Sequence, residues 1–167
     1  MKENILNLVL RKLTEDYEQQ LQYYGKMFEL AVRQGRCVHA EEVDTDLLMD
    51  LIGQRQELIE VLEQSSAGIA RLKEEIRQAL DIEEFTLTRL KGRVEETGLE
   101  NLGLLLEELS ALLQKIKELD KTNEETLRRR IQETSEDLKR MGKAKKARKA
   151  YQQKLVNKDG VFIDFSK

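Results

Sequence analysis

The chain has no proline and no tryptophan, a single cysteine, a single histidine, and only four tyrosines and four phenylalanines among 167 residues. Without proline, no ring interrupts a helix from within, so long helices are open wherever the apolar pattern supports them. A lone Cys37 excludes an internal disulfide and agrees with a reducing compartment. With 5% aromatic residues the chain is poorly supplied for a thick globular core. Cys37 and His39 stand beside Glu41 and Glu42. A zinc site needs about four ligands in closed geometry, so a polar loop is the expectation here and no metal is assigned. No phosphate-cradling glycine loop, no Ser/His/Asp set and no Cys/His pair on rigid elements can be assembled. Acidic pairs such as Glu83-Glu84 and Glu107-Glu108 read as solvated helix faces. No enzyme activity and no cofactor are expected.

Long apolar runs are missing as well. The start, Met1 to Leu10, is broken by polar residues and does not read as a secretory signal, and no stretch approaches the ~18 apolar residues of a membrane span. A cytoplasmic protein without stable membrane insertion is the expectation.

Charge is what the chain has in abundance: 37% of its residues are Asp, Glu, Lys or Arg. The formal net charge of −3 conceals an asymmetry, because the eight basic residues from Lys139 to Lys154 meet no acidic one and leave the remainder at −11. Between the charges runs a helical pattern. Leu6, Leu10, Leu13, Tyr17, Leu21, Tyr24, Phe28 and Ala31 form one stripe, which predicts a first long helix within 1–34 that stops at Gly35. Residues 35–46 read as a connection, with Asp44 or Asp46 capping the next helix.

A second long helix is predicted over 47–79, with the seam Leu48, Leu51, Arg55, Leu58, Leu62, Ser65, Ile69, Leu72, Ile76 and Ala79. Its alternating steps of three and four mark knobs-into-holes packing, and its polar members fix register. Asp81 to Glu84 has the spacing of a capping box and predicts a short helix over 82–93; Thr97 to Glu100 repeats that spacing. A third long helix is predicted over 100–155, with Leu102, Leu105, Leu109, Leu112, Ile116, Leu119, Asn123, Leu127, Ile131, Thr134, Leu138 and Met141 in its seam. Successive steps of four from Leu119 to Ile131 predict local unwinding of the supercoil.

Residues 156–167 read as a non-helical tail, in which turn residues 157–160 precede the apolar run Val161 to Phe165. The expected fold class is all-α. It is an elongated, coiled-coil-like antiparallel bundle of three long helices plus one short helix and a non-helical C-terminal tail, forming one domain over 1–167.

The segments Gln54 to Leu62 and Leu113 to Leu127, and the ending Lys145-Lys-Ala-Arg-Lys-Ala-Tyr151 followed by Gly160-Val-Phe-Ile-Asp164, resemble the bacterial flagellar export chaperones of the FlgN type and the broader FlgN and FliT class. The similarity spans roughly 47–164, and the first helix departs from it. The resemblance implies a cytosolic chaperone for type III secretion in flagellum biogenesis. Such a chaperone binds the helical segment of a hook-filament junction or other axial subunit and delivers it to the export apparatus. The partner-binding residues expected on that basis are Leu138, Met141, Tyr151, Leu155, Phe162, Ile163 and Phe165. Two other readings are a homo-oligomeric coiled-coil adaptor, such as a homodimer, with Arg55 and Asn123 setting oligomer state, and a nucleic-acid-associated protein acting through Lys139 to Lys154.

Overall fold

Helix runs wherever the three-and-four pattern supports it. The computed structural model describes residues 2–141 together with Arg148 and Tyr151. It contains α1 (Lys2–His39), α2 (Thr45–Leu80), the single turn α3 (Leu87–Leu90) and α4 (Glu96–Arg140), with no strand among the described residues. The all-α bundle of three long helices and one short one is therefore observed. The predicted tail over 156–167 lies outside the described residues, as does all of 142–155 except Arg148 and Tyr151.

Several boundaries differ from expectation, each for a physical reason. Gly35 does not end α1, which continues to His39. The glycine is instead a point of close approach: a Cβ there would lie 2.9 Å from Asn123 Oδ1 of α4. Cys37 and His39 consequently sit on α1 rather than in a loop, and the connection shrinks to residues 40–44. Of the two candidate caps for α2, Asp44 serves, its Oδ1 accepting the Leu47 N–H at 2.9 Å.

Asp81, expected to start a helix, instead ends α2. It takes a left-handed φ of 51°, its N–H donates to Gln78 O at 3.2 Å, and the Ile82 N–H donates to Arg77 O at 3.1 Å. This is a Schellman closure with aspartate in the place usually held by glycine. The short helix shrinks from 82–93 to Leu87–Leu90, capped by Thr86, whose hydroxyl accepts the Arg89 N–H at 3.3 Å. α4 begins at Glu96, four residues earlier than expected, so Thr97 and Glu100 lie within it. Its entry is capped from a distance, the Glu95 N–H donating to Asn7 Oδ1 of α1 at 3.0 Å.

The chain packs as two compact units, each taking part of α1, α2 and α4. The first comprises Met1–Lys26 and Leu58–Leu112. Leu6, Leu10, Leu13 and Tyr17 of α1 are buried there, as are Leu62, Ile69 and Ile76 of α2 and Leu102, Leu105 and Leu109 of α4. Ile82, Leu90 and Val94 close that core. Each such aliphatic side chain contributes about 1.5–3 kcal/mol of burial. Leu6 shares a groove with Ile76 and Ala79, whereas Gln20 Nε2 reaches Ser66 Oγ at 3.0 Å, so α1 and α2 run antiparallel. Asn7 meets Glu95, and Gly98 approaches Leu10, so α1 and α4 run parallel.

The second unit comprises Met27–Glu57 and Leu113–Lys167. Directions repeat here: Ala31 and His39 of α1 meet Asn123 and Thr126 of α4, while Arg55 of α2 meets Asp120. The α1 seam departs from the expected one. After Tyr17 the buried side chains of α1 are Gln20 in the first unit and Met27, Leu30, Ala31, Gln34, Cys37 and Val38 in the second, and the expected Leu21, Tyr24 and Phe28 are only half-buried. Regular packing geometry, not hydropathy, chose the glutamines, and each finds a partner. The same applies on α4. Asp120 rather than Leu119 is buried, so the seam runs Ile116, Asp120, Asn123 and Leu127 in ordinary steps of four, three and four. That seam needs no local unwinding.

Candidate functional site

In the second unit, α1 ends while α4 continues. Three polar side chains of α4 grip the last turns of α1. Asn123 Nδ2 donates to Ala31 O at 2.9 Å. Thr126 Oγ lies 3.2 Å from His39 Nε2, and His39 Nδ1 lies 2.7 Å from Gly35 O. A carbonyl only accepts, so Nδ1 carries the proton, and in the neutral ring Nε2 accepts from Thr126. Arg130 then donates to Val38 O at 3.1 Å, to Ala40 O, and to Glu41 O at 2.7 Å, satisfying carbonyls freed where the helix stops.

Beside this clasp, Cys37, Val38, Leu48 and Ile52 form a buried cluster against which Val43, Met49 and Leu127 pack. Burial, and secondarily the Asp44 carboxylate, pushes the Cys37 thiol upward in pKa. Its Sγ donates to Asp44 O at 3.3 Å. The outer surface of the cluster is an open groove of about 270 Å³. Leu48, Met49 and Ile52 of α2 form one wall and Leu127, Ile131 and Thr134 of α4 the other. Glu41 and Glu42 lie at one edge, and Tyr151 reaches in from beyond α4. The groove accommodates apolar side chains between two helices.

Of the expected partner-binding residues, the structure brings Tyr151 to this groove, half-buried. Leu138 is half-buried on α4 and Met141, just past it, is 66% exposed; neither lines the groove. Leu155, Phe162, Ile163 and Phe165 lie outside the described residues. Val43, Met49 and Ile52 were missed. Their signal is the paired apolar positions Leu48-Met49 and Leu51-Ile52, which give α2 a second apolar face beside its seam. Leu105-Leu106 and Leu112-Leu113 carry the same paired pattern elsewhere in the chain, so the signal is not specific.

The basic run from Lys139 to Lys154 also falls mostly outside the described residues. Within them, Arg140 pairs with Asp137 at 3.0 Å and Arg148 Nε lies 3.4 Å from Ser135 Oγ. No group of His, Cys, Asp and Glu suited to a metal occurs among the described residues, and no described helix is long and apolar enough to cross a membrane. Comparison of the chain with known protein families, curated proteins and solved structures gave no match.

Proposed function

We propose that the protein is a cytoplasmic chaperone that holds a helical segment of a flagellar axial subunit, of the hook-filament junction kind, and hands it to the export apparatus. The reading starts from the resemblance carried by Gln54 to Leu62, Leu113 to Leu127 and the ending around Tyr151. The observation that carries it is the groove. The apolar stripe of α4 continues through Ile131, Thr134 and Leu138 past His39, where α1 stops. Among the described residues no third long helix covers this stretch, and Leu48, Met49 and Ile52 of α2, with Tyr151, line the space beside Leu127 and Ile131. An amphipathic client helix laid apolar side down continues the packing of the unit and is shielded from self-association until export. The polar seam residues Arg55 and Asn123 find partners inside the chain, which favours this reading over a homo-oligomeric adaptor.

The test is capture from a flagellated bacterium with the full chain as bait, alongside Ile131→Asp. The wild-type chain is expected to retain a flagellar axial subunit, and the variant to lose at least about nine-tenths of it, since a carboxylate in an apolar contact forfeits a few kcal/mol. Equal recovery by both removes the groove from the reading. Recovery of no axial subunit by either removes the reading itself. Deleting residues 154–167 in the same assay tests whether Leu155, Phe162, Ile163 and Phe165 contribute to the contact.

A further inference from the structure

Arg55 is fully buried, its accessible surface 0%, in the middle of a seam otherwise built largely of leucine and isoleucine. Its guanidinium gathers all three long helices of the second unit. Nη1 and Nη2 donate in parallel to Asp120 Oδ1 and Oδ2 of α4 at 2.5 and 2.7 Å. Nη1 also donates to Gln34 Oε1 of α1 at 2.7 Å, and Nε lies 3.1 Å from Met27 Sδ. Gln34 and Asp120 are themselves buried, at 1% and 6% exposure. The fork of a guanidinium matches a carboxylate in one orientation only, so this cluster has a strict geometry.

From this arrangement we infer that the Arg55–Asp120–Gln34 cluster selects the partners of the three seams, confining them to one register within one chain, and thereby makes the protein a monomer. Leucine seams alone do not discriminate, because each stripe accepts any helix of the same spacing, including its copy in another molecule. A slip of one heptad would set Arg55 against Leu113 or Leu127 and Asp120 against Leu48 or Leu62, burying two charges among aliphatic side chains. Pairing α2 with a second α2, or α4 with a second α4, would bury Arg55 or Asp120 beside its own kind or beside leucine. Only the observed register satisfies all three polar groups. The five-residue connection 40–44 keeps α1 beside α2 of the same chain. The inference stands apart from the identity of any client.

The experiment is light scattering coupled to size exclusion on the full chain, from about 5 to 500 µM, for the wild type and for the double variant Arg55→Met/Asp120→Leu. The expected result is a wild-type mass of one chain, 19.5 kDa, across the range. The double variant is expected to remain helical by circular dichroism while its mass rises toward twofold or more with concentration. A wild-type mass of two chains overturns the inference. So does a double variant that stays monomeric throughout. Loss of helix in the double variant overturns it equally, because the cluster is inferred to select among pairings and not to hold the helices together.

Discussion

Replacing Gly35 with alanine sets two effects of similar size against each other, and the structure decides between them. In a helix interior, alanine exceeds glycine by about 1 kcal/mol through backbone entropy. Gly25, Gly53 and Gly68 lie in helices with nothing within 4 Å of an added Cβ, so alanine at each is expected to stabilise by roughly 0.5–1 kcal/mol. At Gly35 the new methyl would stand 2.9 Å from Asn123 Oδ1. Asn123 cannot swing aside easily. It is 2% exposed and anchored through Nδ2 to Ala31 O at 2.9 Å, while its buried Oδ1 has no hydrogen-bond partner. Moving it by several tenths of an ångström strains or breaks that bond, at a cost of about 1–3 kcal/mol for buried polar groups, with overpacking of similar size added. The net expectation for Gly35→Ala is a loss of about 1–3 kcal/mol, or roughly 3–10 °C in Tm for a chain of this size. Gly68→Ala should gain about 2 °C. Thermal unfolding by circular dichroism reads both signs, and in Gly35→Ala/Asn123→Ala the combined loss should be smaller than the sum of the single losses. If Gly35→Ala stabilises as much as Gly68→Ala, the close approach of α1 and α4 is wrong.

Two further outcomes follow from ionisable groups. Hydrogen bonds first from Arg77 and then from Gln78 hold the Glu74 carboxyl down from 4.5 to about 2. A depressed carboxyl stabilises the fold above its unfolded value, and this contribution fades as pH falls from about 4.5 through about 2. Carboxyl-carbon NMR titration should place the midpoint well below 4, and a midpoint above 4 would refute the pairing. For Cys37, burial and the raised thiol pKa predict labelling by a thiol reagent at pH 8 at least about tenfold slower in the native chain than in denaturant. Equal rates would mean that the cluster around Val38 and Leu48 does not exclude the reagent.

Much of the second unit was legible in part. Leu48, Leu51, Leu127 and Ile131 stand in seams read directly from spacing, and Arg55 and Asn123 were visible as polar members of those seams. Their partners were not. Asp120 sits one residue beyond the apolar Leu119, and a search for apolar positions passes over a carboxylate that belongs in the seam only because Arg55 faces it. Gln20 and Gln34 were missed for the same reason. The groove was less legible still, because it exists where α1 stops. That stop depends on Arg130 reaching the carbonyls of residues 38, 40 and 41 from some ninety positions away.

By itself the sequence determined that the described chain is helical, that three long helices carry the packing, and roughly where each begins, because periodicity and helix propensity act over neighbouring residues. Tertiary structure alone decided the exceptions. Gly35 lies within a helix because another helix must pass close to it. Asp81 closes a helix instead of opening one. Asn7 caps α4 from α1, and Asp120 is buried as the counter-ion of Arg55. In each case a polar group or a glycine answers to a partner distant in sequence, and the free energy of that pairing exceeds the few tenths of a kcal/mol by which local preference would have placed it elsewhere.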